Sequence, residues 1–194
     1  MHTRLRQNTI TLTVSNAGSA ILSFGIIALI GRLLGEDGLG LYATALAWVF
    51  PLSLIAEFGL GTLITRDIAQ NPTLGNAYLR ETAKQRLIIG GGICCVLIAL
   101  APLLNDNSDV VRAIMLSAPL IIVNPFYGAF TAVYRAHQVM VPIAVLNLGM
   151  LIVQVALTLF IFMTDGDIFD VLAINTLTST GQLFSAWLWW RLAP

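Results

Sequence analysis

Glu57 is the only acidic residue well inside one of the long apolar stretches of this sequence, about nine residues before a basic boundary at Arg66. An ionised carboxylate is expensive in an apolar medium, so such a group reads as a protonation site, an ion ligand or the partner of a cation. The competing reading is structural: an interhelical pair with an arginine or asparagine, or a protonated carboxyl near the interface. Arg32 closes the first apolar stretch in Ile30-Gly31-Arg32-Leu33-Leu34-Gly35. It is a candidate anion ligand, although a long side chain at a helix end also snorkels readily to lipid headgroups. Arg66 and Arg135 carry the same two readings at the opposite boundary, as anchors or as contacts for a phosphate entering from the cytoplasmic side.

Uncharged polar residues add a second set of candidates. Asn16, Ser19 and Ser23 recur at helical spacing in the first stretch, Asn147, Gln154 and Thr158 in the fifth, and Asn175, Ser179 and Gln182 in the sixth. In the fourth, Ser117, Asn124, Gly128, Thr131 and Arg135 fall at spacings of seven, four, three and four residues and form one stripe, with Pro119 and Pro125 kinking the same helix. Converging stripes of this kind line a wet interior. The alternative is that they only join helices, at roughly 0.6–2 kcal/mol per hydrogen bond.

Other chemistries find no support in the residues. The sequence holds no His-Glu-x-x-His, no Gly-x-Ser-x-Gly and no phosphate-cradling glycine loop, so an enzyme is not expected, nor a bound cofactor or metal. Cys94 and Cys95 are adjacent, which rules out an ordinary structural disulfide between them and leaves packing or lipid contact. Gly90-Gly91-Gly92 sits mid-stretch and reads as helix packing or flexibility. Ten basic residues balance ten acidic ones, which gives no reason to expect a nucleic-acid partner.

The elements that hold these residues must be membrane helices. Of 194 residues 57% are hydrophobic and 10% charged, too few to cover a soluble globule, where about 25% is usual. Apolar stretches long enough to cross about 30 Å of hydrocarbon lie near 9–34, 40–65, 84–104, 111–135, 139–163 and 168–190. The expected fold class is therefore all-α, a polytopic membrane protein of six transmembrane helices. Strict alternation over about ten residues, which a β-barrel needs, is absent. The first stretch follows a basic N-terminus but exceeds the roughly 7–15 residues of a signal h-region, so a retained span is expected.

Basic residues in short loops resist translocation. With the N-terminus inside, Arg4, Arg6, Arg66, Arg80, Lys84, Arg86, Arg135 and Arg191 fall on the cytoplasmic side, and only Arg32 and Arg112 outside. Glu36, Asp37, Asp106, Asp109, Asp165, Asp167 and Asp170 take the outer side, and Trp187, Trp189 and Trp190 form an inner aromatic belt beside Arg191. Both termini are expected in the cytoplasm.

The region from about Asn8 to Asn71 resembles the N-terminal part of polysaccharide-export, O-antigen-type flippases of the multidrug/oligosaccharidyl-lipid/polysaccharide exporter superfamily. The matching residues are Ser15-Asn16, then Gly31-Arg32-Leu33-Leu34-Gly35-Glu36-Asp37-Gly38-Leu39-Gly40-Leu41-Tyr42, then Glu57-Phe58-Gly59-Leu60-Gly61 and Thr65-Arg66-Asp67-Ile68-Ala69. Further along, the match is in hydropathy and in the helix around Asn124-Pro125. The resemblance implies two six-helix lobes around a central cavity, of which this chain covers one, so a second six-helix lobe would be its partner. It implies residence in the cell (inner) membrane and a polyprenyl-diphosphate-linked sugar as substrate, flipped from inner to outer leaflet. Half of a drug/cation antiporter, with Glu57 as the coupling site, and a non-transporting assembly subunit are the alternatives.

Overall fold

The computed structural model describes residues 2–164 and 166–192, with side chains from Asn8 onward. Asp165, expected in an outer turn, lies outside the described residues, as do the side chains of Arg4 and Arg6. Among the described residues every regular element is helical: α1 (His2–Leu33), α2 (Gly35–Glu57), α3 (Leu60–Gln70), a 3-10 turn (Pro72–Leu74), α4 (Gly75–Leu104), α5 (Ser108–Ser117), α6 (Leu120–Ala136), α7 (Val141–Met163) and α8 (Ile168–Leu192). Five rods are long and apolar enough to span a bilayer. The more polar α8, 25 residues long, is a sixth rod of similar length.

Local signals explain most boundaries. Asn107 caps α5 by accepting the Asp109 backbone N–H at 2.8 Å. Pro142 stands in the first turn of α7, where its missing N–H costs nothing. The expected four-residue break at Gly35–Gly38 shrinks to Leu34, followed by Gly35 at the start of α2, whose φ of 70° only glycine adopts freely; Glu36 and Asp37 join the first turn of α2, where its dipole favours them.

The structure adds detail at three of these places. The stretch 40–65 is not one helix: α2 ends at Glu57 and α3 starts at Leu60, with Phe58 and Gly59 both in the left-handed region at φ 46° and 68°. The stretch 111–135 bends at Ala118-Pro119 into α5 and α6. The polar segment 66–84, expected to be a connection, is mostly helix: α3 runs to Gln70 and α4 begins at Gly75. At 30 residues α4 is about 45 Å long, so it crosses the hydrocarbon and projects beyond it.

The bundle is organised around α6, which packs against α2, α3, α4 and α8. Some 56% of the most apolar part of the α5–α6 rod is buried, against 17–28% for the other four apolar rods, which identifies the inner element. The peripheral rods turn Ile21, Phe24, Leu54, Ile88, Leu103 and Phe160 outward. In water that surface would aggregate, and in a bilayer it is the lipid face. One end of the bundle is tied by Asn8 Nδ2 donating to the Gln138 carbonyl (2.9 Å) and Trp190 Nε1 donating to Asn76 Oδ1 (2.9 Å).

Cys94 packs in the core among α2, α4, α5 and α6, while Cys95 is exposed. Of the three consecutive glycines only Gly90 meets a close neighbour. A β-carbon there would lie 3.3 Å from the Ile121 carbonyl oxygen, whereas Gly91 and Gly92 face open space. Gly90→Leu should therefore destabilise the bundle by about 1–3 kcal/mol through overpacking against backbone. Gly91→Leu and Gly92→Leu should leave the melting temperature in detergent within a degree or two of wild type; equal losses at all three would mean that the α4–α6 approach is not tight.

Candidate functional site

Because α2 stops at Glu57, the carboxylate stands at a helix terminus against α3 and α6. It occupies space that two glycines leave free. A β-carbon at Gly61 or Gly128 would fall 3.1 or 3.2 Å from Glu57 Oε1, respectively. A half-open cavity of about 420 Å³ starts here, lined by Glu57, Gly61, Thr62, Thr65 and Arg66 from the α2–α3 side and by Gly128, Thr131, Ala132 and Arg135 from α6. A spanning helix that breaks and exposes backbone at depth is tolerated where it borders such a cavity.

The residue that sequence reasoning missed is Arg86. Expected among the inner-boundary cations, it instead lies eleven residues into α4 with its side chain 1% exposed. Its Nε, Nη1 and Nη2 are all buried and have no hydrogen-bond acceptor. The same β-carbon at Gly128 that approaches Glu57 would be 3.7 Å from Arg86 Nη1, so carboxylate and guanidinium flank one point. They do not form an ion pair within 4 Å. Taking a guanidinium out of water costs on the order of several kcal/mol, more than the roughly 1 kcal/mol a helix-joining hydrogen bond returns. Arg86 does not itself line the cavity; it lies behind Glu57 and Gly128 with its donors unused.

At the outer part of the cavity the cations differ. Arg66 Nε is 3.3 Å from Asp67 Oδ1, and Asp67 also accepts the Tyr78 hydroxyl at 2.6 Å. Arg135 is exposed and makes no ion pair within 4 Å among the described residues. Thr65 donates to the Gly61 and Ala132 carbonyls (2.8 and 3.2 Å), pinning α3 to α6 below the break, and Thr131 donates to the Gly128 carbonyl at 2.9 Å.

The fourth-stretch stripe divides. Gly128, Thr131 and Arg135 line the cavity; Ser117, on the far side of the Ala118-Pro119 bend, is completely buried with an unpartnered hydroxyl; Asn124 is half-buried and lines neither this cavity nor the next. Arg32 is exposed in the last turn of α1, at the opposite end of the bundle from Arg66 and Arg135.

Two members of each of the other stripes meet at a separate place, while Ser23, Thr158 and Asn175 stay outside it. Asn16 and Ser19 from α1, Asn147 and Gln154 from α7, and Ser179 and Gln182 from α8 line a cavity of about 270 Å³. Asn147 Oδ1 accepts both the Tyr127 hydroxyl (2.6 Å) and Gln182 Nε2 (2.8 Å), so its amide ties α6, α7 and α8 together as well as facing the cavity. This second site holds no charge. Glu57 and Arg135 thus share the charged cavity, Asn16 belongs to the neutral one, and Arg32 and Asn124 to neither.

Comparison with known proteins places this geometry in context. The pattern of a family described as polysaccharide biosynthesis protein matches residues 5–192. The sporulation protein YkvU of Bacillus subtilis (strain 168) is 26% identical over 167 residues, covering 82% of this chain and 36% of that protein. The fold is similar, at TM-score 0.74 and 16% identity, to an outward-facing multidrug resistance transporter of the MATE family, in the MOP superfamily; the alignment covers 94% of this chain and 44% of that one. The chain therefore spans less than half the length of either protein.

Proposed function

The chain belongs to the polysaccharide biosynthesis protein family, and we propose that it is one six-helix lobe of an exporter that carries a lipid-linked oligosaccharide or polysaccharide precursor from the inner to the outer leaflet. Family membership and fold support a multi-pass membrane transporter. The observation that carries the finer reading is the buried, acceptor-free guanidinium of Arg86 beside Glu57. An anion entering the cavity past Arg135 would reach Arg86, which does not line the cavity, by displacing the Glu57 carboxylate from beside Gly128, and the threonine hydroxyls would add hydrogen bonds to its oxygens. A diphosphate headgroup has that charge and those acceptors. The sugar would follow through polar space while the polyprenyl tail stays in lipid, and rocking against a second lobe would switch access.

The antiporter alternative uses Glu57 as a cation or proton site. Arg86 weighs against it, because a cation bound at Glu57 would sit next to a guanidinium with no anion of its own. The purified chain in proteoliposomes should bind a polyprenyl-diphosphate photoprobe at least tenfold more tightly than the matching polyprenol, about 1.4 kcal/mol, with Arg135→Gln reducing the preference. Equal binding of both probes, or displacement by amphipathic cations and not by diphosphate, would remove this reading; failure to bind either would favour an assembly subunit.

Orientation in the cell (inner) membrane with both termini cytoplasmic rests on the division of basic residues, seven against two once the buried Arg86 is set aside. With the native cysteines replaced by serine, cysteines introduced at Asn76 and Thr131 should react with an impermeant thiol reagent from the cytoplasmic side, and cysteines at Asp106 and Gly166 only from outside. The reverse pattern would invert the topology.

A further inference from the structure

A larger groove of about 700 Å³ opens on another side of the bundle, between α4, α6 and α8. Its walls are apolar, chiefly Phe126 and Phe130 of α6, Leu79 of α4 and Phe184 and Trp187 of α8. Cations stand at one end only: Arg80 from α4 and Arg191 from α8. Arg191 is held over the Trp187 ring, 4.7 Å from its centroid, and makes no ion pair within 4 Å among the described residues. Arg80 approaches Glu81 only to 3.8 Å, and Glu81 is already engaged by Lys84 at 3.0 Å. Beside them Trp190 Nε1 donates to Asn76 Oδ1, which lashes α8 to α4 at this end.

Depth decides what fits. From Arg191 to Thr180, the groove's deepest member on α8, is eleven helical residues, about 16 Å. That is about half of a 30 Å hydrocarbon core, the thickness of one leaflet. Thr180 adds no free donor at the bottom, because its hydroxyl donates to the Thr176 carbonyl at 2.8 Å. A partner helix would need small or polar residues along the whole seam, whereas this groove is polar at its mouth and apolar for the rest. We propose that it is a binding site for an anionic phospholipid of the adjacent leaflet, with the phosphate between Arg80 and Arg191 and an acyl chain along Phe126 and Phe130. The site is separate from the Glu57 cavity and does not depend on the transport reading.

Native mass spectrometry of the full chain in detergent, titrated with equal amounts of phosphatidylglycerol and phosphatidylcholine, tests it. Phosphatidylglycerol should be retained at least tenfold better. The double substitution R80Q/R191Q should abolish the preference, R80K/R191K should keep most of it, and Arg32→Gln, exposed at the opposite end of the bundle, should leave it unchanged. Ala83→Phe, which fills the groove from α4, should lower retention of both lipids while helicity by circular dichroism stays at the wild-type level. Equal retention of the two lipids by the wild type, an undiminished preference in R80Q/R191Q, or displacement of the lipid by soluble glycerophosphate would each overturn the proposal. So would efficient disulfide crosslinking of a cysteine at Phe184 to a second copy, which would make the groove a protein interface.

Discussion

Arg86→Met should make the protein more stable and should cost it at least tenfold in binding of a polyprenyl-diphosphate probe. The first half follows from desolvation. A guanidinium 1% exposed and without a hydrogen-bond acceptor carries a desolvation penalty that the nearby Glu57 carboxylate offsets only in part, and apolar side chains of similar volume in place of buried ionic groups are often neutral or stabilising by about 1–4 kcal/mol. The second half follows if the idle donors are kept for an anion. Stability given up at a ligand site and recovered on its removal is the pattern expected of a functional residue. Glu57→Gln should act in the other direction on the fold. It removes the one negative charge facing Arg86, so melting temperature falls, and the double variant E57Q/R86M should recover it, with a coupling of about 0.5–3 kcal/mol between the two positions. A loss of stability in Arg86→Met with binding intact would make Arg86 a structural residue and remove the reason for placing an anion here.

Glu57 is legible in the sequence because charge in an apolar run is conspicuous by type alone. Arg86 is not, because it follows Arg80 and Lys84 closely enough to look like the last member of an interfacial cluster. The informative signal is phase. Thr82, Arg86, Gly90, Cys94, Leu97 and Ala101 are spaced by three or four residues and are all buried, so Arg86 shares the packing face of α4 and not its lipid face. The break after Glu57 is hidden for a related reason. Hydropathy runs through Phe58-Gly59-Leu60-Gly61 without interruption, no proline marks the turn, and the two left-handed residues include a phenylalanine, which rarely adopts that conformation. Phe58 is 79% exposed, so no contact of its own explains its backbone; the geometry is imposed by the packing of α2 and α3 on α6.

The stripe 117–135 shows the opposite error, a periodicity carried across a kink that Pro119 announces. A helical wheel holds only while the axis is continuous, and Ala118-Pro119 separates α5 from α6. Ser117, before the bend, is in the core, and Gly128, Thr131 and Arg135, in the last turns of α6, keep a common cavity, while Asn124, also beyond the bend, lines none. The stripes of α1, α7 and α8 lie on unbroken helices, and there two residues of each carry through to a shared cavity.

Gly128 gives the sharpest steric test, since its missing side chain is what lets the carboxylate and the guanidinium face each other. At 3.2 Å from Glu57 Oε1 an added β-carbon is too close for Glu57 to stay, and at 3.7 Å from Arg86 Nη1 it is in ordinary contact, so the carboxylate must yield. Gly128→Ala should displace Glu57 by a few tenths of an ångström and weaken diphosphate binding modestly. Gly128→Leu should occupy the space, destabilise by about 1–3 kcal/mol and reduce binding at least tenfold, while helicity is retained. Gly149 lies on α7, where an added β-carbon would meet nothing within 4 Å; Gly149→Ala should bind normally and gain up to about 1 kcal/mol from helix propensity. Shortening the carboxylate should compensate for the added methyl, so G128A/E57D should bind better than Gly128→Ala alone. If Gly128→Leu binds as tightly as wild type, the space between Glu57 and Arg86 is not where the headgroup goes; if G128A/E57D is no better than the single variant, the methyl acts through α6 packing and not through the carboxylate.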